Sequence, residues 1–324
     1  MYFVGVDVGG QTIKAGVVDE QGQPLGMSPI VPTKSEKGTD HFLQQICLAV
    51  KQSASEAKLL LKQIRAIGIA TPGLMDIPKG IMTHPVNMPA LRDVPVREYV
   101  QKHFGIATSF QNDGNAAAYG EFWAGAGRGT RSLVLFTIGT GIGCGIVWDG
   151  KIIEGKHSHG AEVGHLVIQA WGGRICGCGQ AGHLEAYASE TAMRKIMSET
   201  LEQQDHSTLL RELTTTEGLN ARTLFKAAEQ GDTEASRIVD DAAYALAVGA
   251  TCMMHTIDPE MILFGGGVSV AAGHSFLDSI RSTIQKIAFP IPAQQTRIEY
   301  ASLAEKAGYI GAAGWAKHQL EHGA

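Results

Sequence analysis

The sequence predicts an α/β protein of two domains, each opening on a strand hairpin with a glycine-rich turn. Three observations predict it. Apolar runs of strand length alternate with stretches of helical spacing, the pattern of a mixed sheet covered by helices. After GAGRGT, residues 125–130, the pattern restarts: SLVLFTIGTGIGCGIVWDGK repeats the strand, glycine turn and strand of residues 2–18, a weak internal duplication. The 324 residues, 44% hydrophobic and 18% charged, suffice for two ordinary soluble cores.

Taken in order, YFVGVDV (residues 2–8) reads as a buried strand and Gly9-Gly10 as a tight turn. IKAGVV (13–18) reads as the returning strand, and DEQGQP as a turn before a third strand over residues 25–31. From residue 40 to 61 Phe42, Leu43, Ile46, Ala49 and Val50 recur at helical spacing. IRAIGIATPG gives a strand over 64–70 ended by Thr71-Pro72-Gly73. A short helix follows Pro95 and stops before Gly105; IATSF is the next strand, and NDGNAAAYGEFWAG opens a helix at its far end. Beyond the second hairpin, residues 185–258 read as mostly helical. MILFGGGVS is a strand running into three glycines and a helix to about residue 287. IEYASL is a last strand, and a helix closes the chain from about residue 307. The expected domains are a small one over residues 1–120, joined by the closing helix (307–324), and a large one over 121–306.

Bulk properties narrow the function. A net charge of −5 without a Lys/Arg run argues against nucleic acid as a partner. The longest apolar run, AAYALAVGATCMM, is too short to span a bilayer. The chain enters a strand pattern at residue 2 with no basic n-region, so no signal peptide is expected. Five scattered cysteines suit a reducing cytoplasm.

Two loops share a phosphate-binding logic. In Asp7-Val8-Gly9-Gly10-Gln11-Thr12 and Thr137-Ile138-Gly139-Thr140-Gly141-Ile142-Gly143 the glycines let backbone N–H groups turn toward an anion, and the hydroxyls add donors. Either alone could be an ordinary hairpin; the pair, with Gly265-Gly266-Gly267 after a third strand, points to a nucleotide cleft between domains. Asp7 is placed to hold Mg²⁺, directly or through water. Two other glycine motifs are set aside. GCGQAG (177–182) matches a dinucleotide fingerprint but follows no apolar strand, and GKIIEGKH (150–157) nearly spells a Walker A loop but has His157 where Ser or Thr is required.

Asn112-Asp113 falls between a strand and a helix, where an Asp serves either as an N-cap or as a general base for an alcohol attacking a γ-phosphoryl group. The densest polar stretch is HSHGAEVGHLVIQAWGGRICGCGQAGHLE, residues 157–185. His165, Cys176, Cys178 and His183 would make a Cys₂His₂ zinc site, closed by four protein ligands and therefore structural. The alternative is two buried thiols and two solvent-facing histidines. With a closed, structural zinc, Glu162 and Glu185 would face a hydroxyl-rich ligand.

The motifs DVGGQTIKAGVVD, TPG, VNMP, QNDGNAAAYGE, TIGTGIGCGI, HGAEVGH, CGCGQAGHLEAYAS and ILFGGGVS, in this order along the whole chain, resemble the ROK (repressor, ORF, kinase) family, and within it the glucokinases. The resemblance implies an actin/hexokinase-like fold of two ribonuclease H-like domains around a cleft, and ATP-dependent phosphorylation of a hexose. It implies Asp113 as catalytic base, Asn87, Asn112, Glu162, His165 and Glu185 around the sugar, and the first loop through Lys14 among the ATP contacts. The histidine matching His165 touches both zinc and sugar in that family. Three positions depart from the pattern. Gln11 replaces a threonine, Cys144 a glycine of the second loop, and His183 the third cysteine of CxCGxxGC, so the expected zinc set changes from Cys₃His to Cys₂His₂. Other hexoses (N-acetylmannosamine, fructose, allose), polyphosphate as donor, a catalytically silent sugar sensor and a repressor are the competing expectations. The strand pattern at residue 2 disfavours the last of these. Family habit implies a homodimer or homotetramer.

Overall fold

In the computed structural model, which describes residues 1–85, 87–203 and 208–323, the chain is a mixed α/β protein. In chain order the elements are β1 (Tyr2–Val8), β2 (Thr12–Val18), β3 (Pro24–Met27), β4 (Val31–Pro32), α1 (Thr39–Glu56), β5 (Ile64–Thr71), β6 (Leu74–Asp76), β7 (Ile81–His84), α2 (Val96–Phe104), β8 (Ala107–Asn112) and α3 (Asp113–Ala124). There follow β9 (Ser132–Ile138), β10 (Ile142–Trp148), β11 (Lys151–Ile152), α4 (Glu185–Ala188), α5 (Glu190–Glu202), α6 (Leu209–Glu217), α7 (Ala221–Glu229), α8 (Thr233–Ile257), β12 (Met261–Gly265), α9 (Gly267–Ile287), α10 (Pro290–Gln295), β13 (Arg297–Tyr300) and α11 (Ala307–His322). Contacts divide them into two compact units, Met1–Leu133, Gly145–Ala161 and Ala301–Ala324 against Val134–Cys144 and Glu162–Tyr300.

The sheet of the first unit runs β3-β2-β1-β5-β8, with β4 also on β2. The β1–β2 hairpin is antiparallel, and β1, β5 and β8 are parallel. The period of two sorts β1 between its faces. Val4, Val6 and Val8 enter a core with Phe42, Leu43, Ile46 and Val50 of α1, while Phe3 joins Tyr309, Ile310 and Ala313 of α11. Register aligns Asp7 with Ala70 on β5, and Ala70 with Gln111 on β8. Three parallel strands therefore bring Asp7, Thr71 and Asn112 to one carboxyl edge, where ligands of open α/β sheets bind.

Helix α11 lies unusually close to its neighbours. A Cβ added at Gly5 would stand 1.7 Å from the Tyr309 carbonyl oxygen, and one at Gly311 1.6 Å from that of Ala116 in α3. Neither neighbour is a side chain that can rotate away. Helix propensity alone predicts that Gly311→Ala stabilises by about 1 kcal/mol. The backbone contact reverses the sign, and we expect a loss of about 3 kcal/mol, read as a fall in the urea midpoint. An unchanged or raised midpoint would contradict this packing.

In the second unit β12 and β13 pair in parallel and belong to a sheet ordered β11-β10-β9-β12-β13. Phe136 and Phe264 pack in its core with ring centroids 5.3 Å apart and planes tilted by 31°, and α7, α8 and α9 pack on one another. Among the described residues no helix is long and apolar enough to cross a membrane.

Two expected elements are corrected. The strand over residues 25–31 is broken into β3 and β4. Pairing of Gly16 with Met27 and of Ile13 with Val31 sets three steps on β2 against four on its partner, and the extra residue interrupts the ladder. The first helix ends at Glu56, not residue 61. Lys58 turns left-handed (φ 56°), and the Leu59 N–H closes on the Ala54 carbonyl at 2.9 Å.

Candidate functional site

The first loop is a braced turn. The Gly9 N–H donates to the Thr12 carbonyl (2.8 Å), and Thr33 ties the turn from outside. Its hydroxyl donates to the Gly9 carbonyl (2.8 Å) and its N–H to that of Gln11 (2.9 Å). Gln11 and Thr12 are exposed. Asn87 packs here, its Cβ 3.2 Å from where Gly10 would carry one, so the structure brings the VNMP turn to the loop; Val86 lies outside the described residues. Lys14 stands opposite Asp7 in the β1–β2 register, and its ammonium pairs with Glu305 at 3.0 Å.

Burial pushes the Asp7 carboxyl up to about 6, against the opposing pull of Lys14. Between about pH 4 and 6 the folded chain thus keeps a proton that the unfolded chain releases. Stability therefore falls as pH rises through that window, by up to about 3 kcal/mol. Asp7→Asn is expected to flatten this part of the stability–pH curve; parallel curves for parent and variant would contradict it.

At the carboxyl edge of β8 the chain turns straight into α3. Asn112 is the N-cap: its side-chain oxygen accepts from the amides of Gly114 (2.8 Å) and Asn115 (3.2 Å). Asp113 is the first helical residue, and its Oδ1 accepts from Gly114 N–H at 2.9 Å. The following turn is small and closely packed, a Cβ at Gly145 falling 2.4 Å from the Gly114 carbonyl oxygen.

The second loop is organised by Glu185. Its Oε2 accepts from the Ile142 amide at 2.9 Å, and a Cβ at Gly141 would lie 2.4 Å from the same oxygen. Gly139 closes on the Gly141 carbonyl (2.9 Å), and its own carbonyl accepts from Glu190 N–H at the head of α5. Thr140 is exposed, and the Thr137 hydroxyl lines the turn beside Gly143. Gly266, left-handed at φ 91°, caps α9 in a space where a Cβ would meet the Ile138 carbonyl oxygen at 2.3 Å. Gly265 ends β12 and Gly267 starts the helix. Cys144 is buried; that burial and then the charge of Glu162 push its thiol up. Glu162 itself is exposed.

His165, Cys176, Cys178 and His183 come together, their donor atoms all within 4.8 Å of one another. Nδ1 of His183 lies 3.2 Å from both the Cys178 sulfur and Nδ1 of His165, and the Cys176 sulfur is 3.8 Å from the latter. Donors on a tetrahedral zinc with bonds of about 2.0–2.3 Å stand about 3.3–3.8 Å apart, so the four residues fit the ion. The backbone preforms this knuckle. Cys176 N–H donates to the Gln180 carbonyl (2.8 Å), Gly179 N–H to that of Cys176 (2.9 Å), and Val167 bridges His183. The GCGQAG stretch is this knuckle and not a strand-to-helix turn. Cys176 also contacts Oε1 of Glu185 at 3.4 Å, which links the cluster to the second loop.

Comparison with known proteins gives this geometry a lineage. The model of the ROK family matches residues 3–319. The chain belongs to the ROK family. This ROK protein is 34% identical over 321 residues to a glucokinase of Halalkalibacterium halodurans, covering 99% of this chain and 96% of that one. The ROK hexokinase of Thermus thermophilus superimposes with a TM-score of 0.85 at 30% identity, covering both chains in full. A ROK glucokinase of Streptomyces griseus, solved with glucose and AMPPNP, gives 0.80 at 30% identity over 98% of this chain and 100% of that one. The ROK protein accordingly has the actin-like ATPase fold.

Several residues of the site escaped sequence reasoning. Thr33 braces the first loop from β4's far side, Glu190 holds Gly139, and Gln111 and Glu154 meet behind Asn112. Gln111 carried a faint signal, as a polar residue at an inward strand position. Thr33, Glu190 and Glu154 carried none.

Proposed function

We infer that this ROK protein is an ATP-dependent sugar kinase of the glucokinase type, transferring the γ-phosphoryl group of ATP to the 6-hydroxyl of glucose with Asp113 as general base. The observation that carries the role of Asp113 is the Asn112 cap. The bland explanation for an aspartate at a strand–helix junction is capping; here the neighbouring asparagine caps both Gly114 and Asn115, and Asp113 shares only the Gly114 amide. Asp113 then places its carboxylate at the positive end of a helix, which favours the charged form. It is a weak but well-oriented base, suited to a loose phosphoryl transition state in which the sugar proton leaves late.

Asn87 and Asn112 offer amide donors and acceptors to sugar hydroxyls. The exposed Gln11 and Thr12, with Gly9, Gly10 and Lys14, face the nucleotide phosphates. Glu162, His165 and Glu185 are assigned to the sugar, and Thr137, Gly139, Thr140, Gly141 and Gly265 to Gly267 to the nucleotide. Asp7 is the residue that would hold Mg²⁺. A cation favours the ionised form that burial disfavours there, and the ion supplies neutralising charge for the phosphates. Zinc on His165, Cys176, Cys178 and His183 has no open position and acts as a staple for the segment that carries Glu185.

The glucose assignment is supported by the glucokinase relative at 34% identity. Coupled ADP release measured over glucose, N-acetylmannosamine, fructose and allose, with and without Mg²⁺, tests it. Glucose should have the highest kcat/KM and lose turnover without Mg²⁺. A tenfold preference for another sugar would replace glucose, and no ADP release with any of them would remove the kinase reading.

A further inference from the structure

Behind the Asn112-Asp113 turn lies a buried polar relay that the proposed chemistry does not use. Gln111, 1% exposed, sits on β8 with both the oxygen and the nitrogen of its amide hydrogen-bonded. Its Oε1 accepts from the Asn112 backbone N–H (2.8 Å) and from Nδ2 of Asn115 (3.0 Å), and its Nε2 donates to Oε1 of Glu154 (2.7 Å). Asn115, 2% exposed, lies in the first turn of α3 and donates one of its amide N–H groups only to Gln111 among the described bonds. Glu154 follows β11 and is itself anchored, since its carbonyl accepts from Gly160 N–H at 2.8 Å and the loop is pinned by the Ile77 N–H donating to the Ser158 hydroxyl at 3.0 Å.

The chemistry of these groups gives the relay a direction. An ionised carboxylate only accepts, so Glu154 obliges Gln111 to turn its NH₂ toward it. That choice leaves Oε1 as the atom facing the Asn112 amide and Asn115. Reversing the Gln111 amide would set its NH₂ against the backbone N–H of Asn112, a donor that cannot turn, whereas Asn115, whose buried Oδ1 has no partner among the described bonds, could follow by turning its own amide. A buried donor facing a donor costs about 1–3 kcal/mol, so Glu154 fixes the side-chain state of Gln111 and, through it, the backbone just ahead of Asp113.

We propose that Gln111 and Glu154 are positioning residues for catalysis, a relay that sets where the Asp113 carboxylate stands. The proposal rests on Asp113 being the general base. Burial raises the pKa of Glu154 and the Gln111 hydrogen bond lowers it, consistent with a group held in a partly desolvated site for its bond to Gln111. The GKIIEGKH segment, which imitates a Walker A loop in sequence, thus contributes through its glutamate.

The test uses Glu154→Leu, Glu154→Gln, Gln111→Leu and Asp113→Asn in the full chain, with kcat, KM for ATP and sugar, and thermal midpoint measured for each. Displacing a catalytic group by a fraction of an ångström to 1 Å costs up to about 100-fold. Glu154→Leu and Gln111→Leu should lower kcat at least about tenfold with KM for ATP within about twofold. Glu154→Gln keeps an acceptor oxygen and should recover kcat to within about threefold of the parent. In an Asp113→Asn background Glu154→Leu should cause no further loss. If either leucine variant fails to fold, Glu154→Asp, one methylene shorter with the charge kept, is read by the same kcat criterion. Folded variants with parental kcat, or a loss confined to the thermal midpoint and KM, overturn the relay while Asp113→Asn remains inactive. An active Asp113→Asn instead overturns the assignment of the base beneath it.

Discussion

Asp113→Asn is expected to keep sugar and ATP binding within a few-fold and to lose about a thousandfold in kcat. The size follows from what a positioned general base contributes, about 10²–10⁴-fold. The selectivity follows from the local structure. Asparagine has the same shape, and the cap of α3 is made by the Asn112 side chain, which the substitution does not touch. The charge lost at the helix start is worth about 0.3–1 kcal/mol of stability, too little to unfold the chain. A dead variant with a parental thermal midpoint and parental ligand affinities would therefore isolate chemistry from folding. A variant with near-parental kcat would take the base role away from Asp113.

The second large effect concerns the knuckle. Purified protein should carry about one zinc per chain, and Cys178→Ala should reduce this to near zero. Cys178 makes the test clean because its side chain is exposed. Truncating an exposed side chain ordinarily changes stability by no more than about 0.5 kcal/mol. If the residue instead ligates a structural ion, its removal releases binding energy that the fold depends on, and the thermal midpoint should fall by several degrees. The KM for sugar should rise with it, because Cys176 of the same cluster touches Glu185, and Glu185 holds the Ile142 amide of the second loop. Zinc well below one per chain in the parent, or a Cys178→Ala variant of unchanged stability, would show that His183 does not complete a zinc site.

The sequence was most informative where local physics decides. The β1–β2 and β9–β10 hairpins were legible because apolar runs of strand length flank glycines with nothing between them. Helix α2 was legible because Gly105 closes it in a left-handed turn. It misled where a local pattern outran its structural use. Leu59, Leu60 and Leu61 prolong the helical periodicity of α1, yet the chain has already turned at Lys58. The β6–β7 hairpin and α10 were not foreseen, the first hidden by Pro78 and Gly80 in its turn and the second by two prolines in PIPAQQ, one of which starts the helix. At the site, Asn112-Asp113 and the cysteine–histidine cluster stood out because their residues are near one another in sequence. The Gln111–Glu154 bond joins residues 43 positions apart, and the Glu185–Ile142 bond likewise spans 43. Nothing local marks either partner; only the fold brings them together.

The measurement that bears most directly on the central claim is the product of a single incubation of the purified chain with glucose, ATP and Mg²⁺. The phosphorylated position is read by phosphorus–proton coupling, alongside the same incubation of Asp113→Asn. The account predicts one ADP released per sugar phosphorylated at the 6-hydroxyl by the parent chain, and no product from the variant in the same interval. Absence of glucose-dependent ADP release, phosphorylation at another hydroxyl, or equal product from Asp113→Asn would contradict it.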